Sequence, residues 1–264
     1  MRVIKRYVKL YGSFVRINLM REMEARGNFV ASCLVILCFP MFSLIFVGAI
    51  FSQTKNLNGW SVNQYLVLVG SYMIVSSLVF TIFFKNVFEL PEYIRKGQLD
   101  FILLKPVNNQ FFVSARYVSF GEMMQGIPGA VLIFVGISGG NLSIDWWRWL
   151  LYPVFVVCGV IIAYSTWFIM TIPCIWWIKM DFAEFFFNLF DLGRYHPDMF
   201  GGFAKTILTF VIPFGVVAAT PADLLLNRLG WLSAIWALVL AGGLLYISHR
   251  FWKFAQTRYF GASS

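Results

Sequence analysis

Long stretches without charged residues alternate with short polar segments along this chain, and six of the stretches are apolar enough to cross a lipid bilayer. An α-helix rises 1.5 Å per residue, so about 20 residues cross a hydrocarbon core of roughly 30 Å. The predicted spans are residues 29–51, 65–84, 117–138, 149–177, 203–219 and 229–248. The pattern therefore predicts an all-α polytopic integral membrane protein with six transmembrane helices, in which residues 1–264 form a single transmembrane domain.

The amino-terminal residues 1–28 carry a different pattern, in which apolar and basic residues separate onto two faces of a helix. The apolar face holds Val3, Ile4, Tyr7, Val8, Leu10, Tyr11, Phe14 and Val15. The opposite face holds Arg2, Lys5, Arg6, Lys9 and Arg16. This separation is typical of an amphipathic helix lying in the membrane interface, and a helix packed on a partner is the alternative.

The loop 86–116, between the second and third spans, has more structure than a simple connection needs. Lys85 marks the predicted end of the second span, and a short helix is expected after it. Gly97 then serves as a C-terminal cap, because glycine enters the left-handed conformation without a steric penalty. The apolar run 99–104 is too short to span, and Pro106 is a second stop. We expect a partner to bind here; an amphipathic connector on the membrane surface is the alternative.

Two of the predicted spans are interrupted by residues that suit a transport path. Glu122 and Gln125 lie in the first half of the third span, where a carboxylate is costly and tends to face a cavity or a partner. With Pro213 in the fifth span, they are candidates for a substrate path. In the alternative interpretation, Glu122 lies near the interface and pairs with Arg116. Residues 220–226 are expected to dip back towards the membrane.

Composition supports a membrane protein, since 59% of the residues are hydrophobic and only 12% are charged, against about 25% charged in soluble domains. The net charge of +9 is unevenly distributed. With six spans, eighteen cationic residues fall on the side of the two termini and three on the opposite side. The positive-inside rule then places both termini and the loop 86–116 in the cytoplasm. The basic charge is explained by membrane lipid and needs no nucleic acid.

The same topology places residues 181–194 and Lys205 on the cytoplasmic side, together with an amphipathic helix predicted over 181–192. The three cations on the opposite side are Lys55, Arg148 and Arg228.

The sequence shows no pattern of catalytic or metal-binding residues. The four cysteines fit neither a metal spacing nor a disulfide framework; they are Cys33, Cys38, Cys158 and Cys174. A phosphate-binding loop of the G-x-x-x-x-G-K-[ST] type is missing, and the two histidines have no nucleophile beside them. We therefore expect no enzyme activity and no cofactor in this chain.

Two patches resemble a known family. The first reads R-K-G-Q-L-D over residues 95–100 and L-L-K-P-V-N over 103–108. The second joins Arg194-Tyr195-His196-Pro197 to Ile212-Pro213 and to Pro221-Ala222 with Leu225. In both, the chain resembles ABC-2 type permeases, in the branch of small six-span bacterial permeases related to drug-, viologen- and daunorubicin-type exporters. It departs from that pattern at His196, which separates a tyrosine and a proline that are expected to be adjacent.

This resemblance implies a half-transporter in the bacterial cytoplasmic (inner) membrane. Two permease chains, as a homodimer or a heterodimer, would assemble with two copies of a separate ABC ATP-binding subunit that carries ATP and Mg²⁺. The exporter would move an amphipathic or hydrophobic substrate such as a drug, lipid, peptide or lipid-linked glycan. The residues implied in coupling to the ATPase are Glu92, Arg95, Gly97, Asp100, Lys105, Pro106 and Asn108.

Two other functions compete with this one. An ion-coupled secondary carrier would use Glu122 as its coupling carboxylate, but few charges lie within the spans. A membrane enzyme acting on lipid is the third hypothesis, although it lacks a visible catalytic cluster.

Overall fold

The computed structural model describes residues 2–24, 26–53, 59–177 and 187–259, which form helices and short connections. The helices are α1 Arg2–Glu24, α2 Arg26–Gln53, α3 Val62–Arg95, α4 Gln98–Leu103, α5 Asn109–Ala115, α6 Phe120–Gly139, α7 Trp146–Ile175, α8 Gly202–Thr206, α9 Phe214–Leu225 and α10 Trp231–Thr257. Of these, α3, α6, α7 and α10 are long and apolar enough to cross a membrane, and shorter apolar helical segments cover Phe29–Cys38 and Phe214–Leu225. An all-α polytopic fold is confirmed.

The bundle has two ends, which we name by the residues they contain. The terminal end holds α1, α4, α5 and the last turns of α10, since α1 bonds to residues 106–120 and Gln110 bonds to Ser248. The distal end holds the starts of α3, α7 and α10. The predicted first span, 29–51, lies within α2, which passes from Gly121 at the terminal end to Tyr65 at the distal end.

Helices α3 and α6 approach each other more closely than ordinary side chains allow. A Cβ on Gly70 would lie 2.6 Å from the Gly129 carbonyl oxygen, and a Cβ on Gly136 would lie 2.5 Å from the Asn63 carbonyl oxygen. Small residues that let backbones approach are the usual means of packing helices in lipid, where no hydrophobic force drives association. Glycine at these positions therefore fixes α6 against α3.

The helix that contains the predicted second span does not end at Lys85. Helix α3 continues to Arg95 through a π-helical segment at Phe80–Phe84. The Lys85 ammonium lies 5.1 Å from the centre of the Tyr117 ring, so its charge is compensated without breaking the helix. The predicted short helix beyond Lys85 is instead the last part of α3.

The predicted fifth span at residues 203–219 is wrong. The prediction that Arg194 precedes it on the side of the termini is wrong as well. Residues 187–196 run antiparallel to α3 towards the distal end. Along this path Phe187 lies 5.3 Å from Phe84, the Tyr72 hydroxyl donates to Asp191 at 2.8 Å, and His196 lies 4.7 Å from Trp60. Residues 178–186 lie outside the described residues, and with them most of the amphipathic helix predicted over 181–192.

The stretch 203–219 belongs to a hairpin that starts and finishes at the distal end. Helix α8 continues as a π-helical segment at Ile207–Val211, the chain breaks at Pro213, and α9 returns. His196 before the hairpin and Asp223 near its finish are 3.1 Å apart, which excludes a single crossing between them. The expected dip over 220–226 is thus the returning arm of a longer hairpin that begins before Pro213.

The hairpin carries its own polar network at the distal end. The Asp198 backbone N–H lies 3.2 Å from His196 Nδ1, and His196 Nε2 lies 3.1 Å from an Asp223 carboxylate oxygen. Lys205 pairs with Asp198 at 2.7 Å and lowers the pKa of that carboxyl. Because Arg194 and Lys205 belong to this end, the cations of the described residues divide into fifteen at the terminal end and four at the distal end, which preserves the direction of the asymmetry.

The hairpin can be tested by labelling single cysteines with a membrane-impermeant maleimide in intact cells and inverted vesicles. In a Cys33→Ser, Cys38→Ser background, Lys205→Cys and Arg228→Cys are expected to react from one side and Phe101→Cys from the other. The two remaining cysteines, Cys158 and Cys174, are buried. Labelling of Lys205→Cys from the Phe101→Cys side would show a real crossing and contradict the hairpin.

Candidate functional site

The sharp turn after α3 depends on Gly97. Helix α3 finishes with the Lys96 backbone N–H donating to the Glu92 carbonyl at 3.0 Å, and the Gly97 N–H then donates to the Ile94 carbonyl at 3.1 Å. Gly97 has φ +66°, in the left-handed region. The predicted glycine cap is therefore confirmed, and it turns the chain directly into α4.

Helix α4 has one buried face and one exposed face. Leu99 and Ile102 are 1% and 3% exposed and attach the helix to the bundle. Phe101 and Leu104 are 71% and 82% exposed and point away from it. Two large apolar side chains thus stand on a short, fixed helix at the terminal end.

The charged residues predicted for coupling lie in the same segment of the chain as this apolar pair. Glu92 pairs with Arg95 and, at 2.7 Å, with Lys96. The Lys105 ammonium lies 4.1 Å from the centre of the Phe112 ring. The Asp100 carboxylate forms no ion pair with any described residue. The segment that carries Phe101 and Leu104 is therefore rich in charge.

The far side of the segment is attached to α1, a contact that sequence reasoning missed. Arg6 donates to the Pro106 carbonyl at 3.0 Å, and the Asn108 backbone N–H donates to the Tyr7 hydroxyl at 2.8 Å. The Asn108 side chain caps α5 by accepting from the Phe111 N–H at 3.0 Å. The predicted residues Pro106 and Asn108 are thus the points at which α1 holds this segment.

Further contacts continue along the same face of α1. The Phe14 and Phe112 rings lie 5.6 Å apart, the Asn18 side chain donates to the Arg116 carbonyl at 2.9 Å, and Glu22 accepts from the Phe120 N–H at 3.0 Å. Together with Tyr7, these side chains recur at helical spacing and form a stripe. The predicted apolar face is divided, because Ile4 and Val8 remain 69% and 66% exposed while the stripe packs on the chain itself.

The three residues proposed for a substrate path lie in two different elements. Glu122 and Gln125 are in the 3₁₀ turn that opens α6 at the terminal end, and Glu122 shares a cavity of about 330 Å³ with Glu22. Pro213 is buried at the break of the distal hairpin. Arg116 contacts the hydroxyl of Tyr93 rather than Glu122. The substrate path therefore stays a prediction.

Glu22 holds its second carboxylate oxygen, Oε2, buried without a hydrogen bond. Burial raises the pKa of Glu22, while the Phe120 N–H and the Lys85 charge lower it in part. The neutral carboxylic acid is therefore favoured at this position relative to solvent.

The fold defines a polytopic α-helical membrane protein, and residues 97–108 form a structured segment at its terminal end. Residues 37–263 match the family described as ABC-2 family transporter protein. The match covers most of the chain, so the protein belongs to this family and is the membrane component of a transporter rather than an enzyme. No curated protein matches the chain. Members of this family generally work with an ATP-binding subunit.

Replacing Gly97 by alanine is expected to destabilise the segment formed by residues 97–108. A Cβ in the left-handed conformation costs roughly 1–2 kcal/mol. We expect a lower melting temperature in detergent and faster amide exchange over residues 98–108. Gly12→Ala is the matched control, because no atom lies within 4 Å of its new Cβ and the helix interior gains about 1 kcal/mol. Equal effects of both changes would contradict the role of Gly97.

Replacing Glu22 by glutamine is expected to stabilise the protein at neutral pH and leave it unchanged in acid. A raised pKa means that ionisation of Glu22 disfavours the folded state, and this cost appears as pH rises from the ordinary value through the raised one. Glutamine keeps an acceptor for Phe120. Melting temperatures of both forms at pH 4 and pH 8 test this, with Glu24→Gln on the exposed side of α1 as control. A stabilisation equal at both pH values would contradict it.

Proposed function

We propose that this chain is the membrane subunit of an ATP-driven exporter and that a separate ATP-binding subunit docks on residues 97–108. The observation that carries the proposal is the exposed apolar pair formed by Phe101 of α4 and Leu104, which caps that helix. Aromatic and apolar anchors flanked by polar residues are typical of protein interfaces. Large exposed apolar groups beside fixed charges are otherwise a liability at a surface.

The docking segment is connected to the bundle in a way that suits transmission of movement. Helix α3 enters it directly and runs the length of the bundle without a break. On the other side, Tyr7 and Arg6 of α1 hold Asn108 and Pro106. A displacement of α4 by the ATPase is therefore passed to α3 and to α1 together.

The remaining parts of the proposal follow from charge and composition. The terminal end carries fifteen of the 19 cationic residues that the structure describes, which favours a cytoplasmic location for both termini. Two copies of this chain, or this chain and a related one, would join two ATPase subunits that bind ATP and Mg²⁺ in the bacterial inner membrane. The aromatic, weakly charged spans suit an amphipathic or hydrophobic substrate such as a drug, lipid, peptide or lipid-linked glycan.

An ion-coupled carrier is the alternative, with Glu122 as the coupling carboxylate. The paired position of Glu122 and Glu22 in one cavity is the observation that favours it. In that case transport would survive ATP depletion and fail on collapse of the ion gradient, and Glu122→Gln would abolish it.

The docking surface is tested by the double substitution Phe101→Ser, Leu104→Ser. Burying each side chain contributes about 1.5–3 kcal/mol, and 1.4 kcal/mol is a factor of ten in affinity. We therefore expect at least tenfold weaker association with the ATP-binding subunit that co-purifies from native membranes. Transport should be lost with it.

The matched control is Met20→Ser, Met23→Ser, which makes the same change of polarity at half-exposed positions of α1 away from α4. Both variants should elute as the folded protein. An unchanged affinity of the Phe101→Ser, Leu104→Ser protein would show that these side chains rest on the membrane surface, and docking at α4 would be refuted.

A further inference from the structure

A second cavity, of about 560 Å³, opens at the terminal end on the inner side of the docking segment. Its walls come from five helices: Tyr11 of α1, Phe83 of α3, Phe111 of α5, Tyr164 of α7 and Leu245 of α10. This volume lies within the range of about 300–1,000 Å³ that is typical of small-molecule sites. The cavity is separate from the exposed face of α4 and from the pair of glutamates.

One wall of the cavity is a polar network with fixed hydrogen-bond directions. The Ser248 hydroxyl donates to the Leu245 carbonyl at 2.8 Å, so its oxygen can only accept from Gln110 Nε2, 3.2 Å away. The same Nε2 lies 3.3 Å from the Tyr164 hydroxyl, which pairs with Ser114 at 2.7 Å. The orientation of the Gln110 amide therefore follows from its partners.

This orientation sets the chemistry of His249. Gln110 Oε1 is a pure acceptor and lies 2.8 Å from His249 Nδ1, so Nδ1 carries a proton. In the neutral ring, Nε2 is then an acceptor, and it forms no hydrogen bond with any described residue. His249 lines the cavity, so an acceptor without a partner among the described residues borders a mostly apolar space.

The remaining walls determine what the cavity can hold. No Lys, Arg, Asp or Glu side chain of the described residues lines it, and its lining is mostly hydrocarbon and aromatic. A charged head group would lose its hydration there without compensation. A neutral hydroxyl gains a partner at His249, while an apolar tail fills the space between Phe83, Phe111 and Leu245.

We propose that this cavity is a binding site for a neutral, single-chain amphiphile whose hydroxyl donates to His249 Nε2. Gln110, Phe111 and Ser114 belong to α5, which follows the docking segment directly. The bound molecule therefore touches the same element that α1 fixes through Asn108. Binding is a property of this chain alone and does not depend on an ATPase.

The test is photo-labelling of the purified full chain by a monoacylglycerol with a diazirine in its acyl chain. The wild-type protein is expected to be labelled in a saturable manner on peptides that contain Phe83, Phe111 or Leu245. The bis-O-methyl ether of the same probe lacks the donor, and we expect it to bind about fivefold more weakly, as for the loss of one hydrogen bond.

Two variants separate the head-group contact from the cavity itself. His249→Asn keeps a donor towards Gln110 and removes the acceptor at Nε2, so it should weaken the hydroxyl probe about fivefold and leave the ether unchanged. Leu245→Trp fills the cavity and should abolish labelling. Ile247→Trp, a half-exposed position on the same helix that does not line the cavity, is its control.

Several results would overturn the proposal. Equal labelling of the wild-type and Leu245→Trp proteins would place the probe elsewhere. Equal binding of the hydroxyl and ether probes by the wild-type protein would refute the contact with His249. Displacement of the probe by diacyl phosphatidylglycerol as efficiently as by mono-oleoylglycerol would assign the cavity to bulk phospholipid and refute a selective site.

Discussion

In a bilayer every peptide group must find its hydrogen-bond partner within the protein, and this constraint explains the course of α3. The helix satisfies its own backbone from Val62 to Arg95, including the wider π turn at Phe80–Phe84. It is also the element against which α6, α7, α9 and residues 187–196 pack. Gly97 follows this unbroken helix at the terminal end. The position of residues 97–108 is therefore fixed by a helix that begins at the opposite end of the bundle.

The distal hairpin obeys the same constraint in a different way. Its backbone is irregular at Ile212–Pro213, which is tolerated at membrane depth only where protein covers the break. The returning helix α9 packs tightly on α7, where a Cβ on Gly159 would lie 2.5 Å from the Val217 carbonyl oxygen. The contact of His196 with Asp223 closes the hairpin at its base. Close backbone packing of α9 on α7 therefore holds the hairpin inside the bundle, and the contact of His196 with Asp223 holds it at the distal end.

The features of this structure that depend on neighbouring residues could be predicted from the sequence. Gly97 and the helical face of residues 1–28 were predicted because a glycine cap and a helical period depend on neighbouring residues only. The docking surface was predicted as a segment, but the attachment of α1 to Pro106 and Asn108 was not, since it joins positions about 100 residues apart. The recurrence of Tyr7, Phe14, Asn18 and Glu22 at helical spacing is the signal in the sequence that could have indicated this packed stripe.

The incorrect predictions of the helix end at Lys85 and of the fifth span came from inferring topology from charge and hydropathy alone. Lys85 looked like the end of a span, yet the Tyr117 ring compensates its charge within a continuous helix. Residues 203–219 have the hydropathy of a span, and hydropathy does not distinguish a crossing from a hairpin that enters and leaves at one end. The positive-inside count kept its sign after the correction, so it could not reveal the error. The pairing of His196 with Asp223 reveals the error, because the six-span prediction places these two residues on opposite sides of the membrane. The distribution of charge alone therefore does not determine the topology of the segment between α7 and α10.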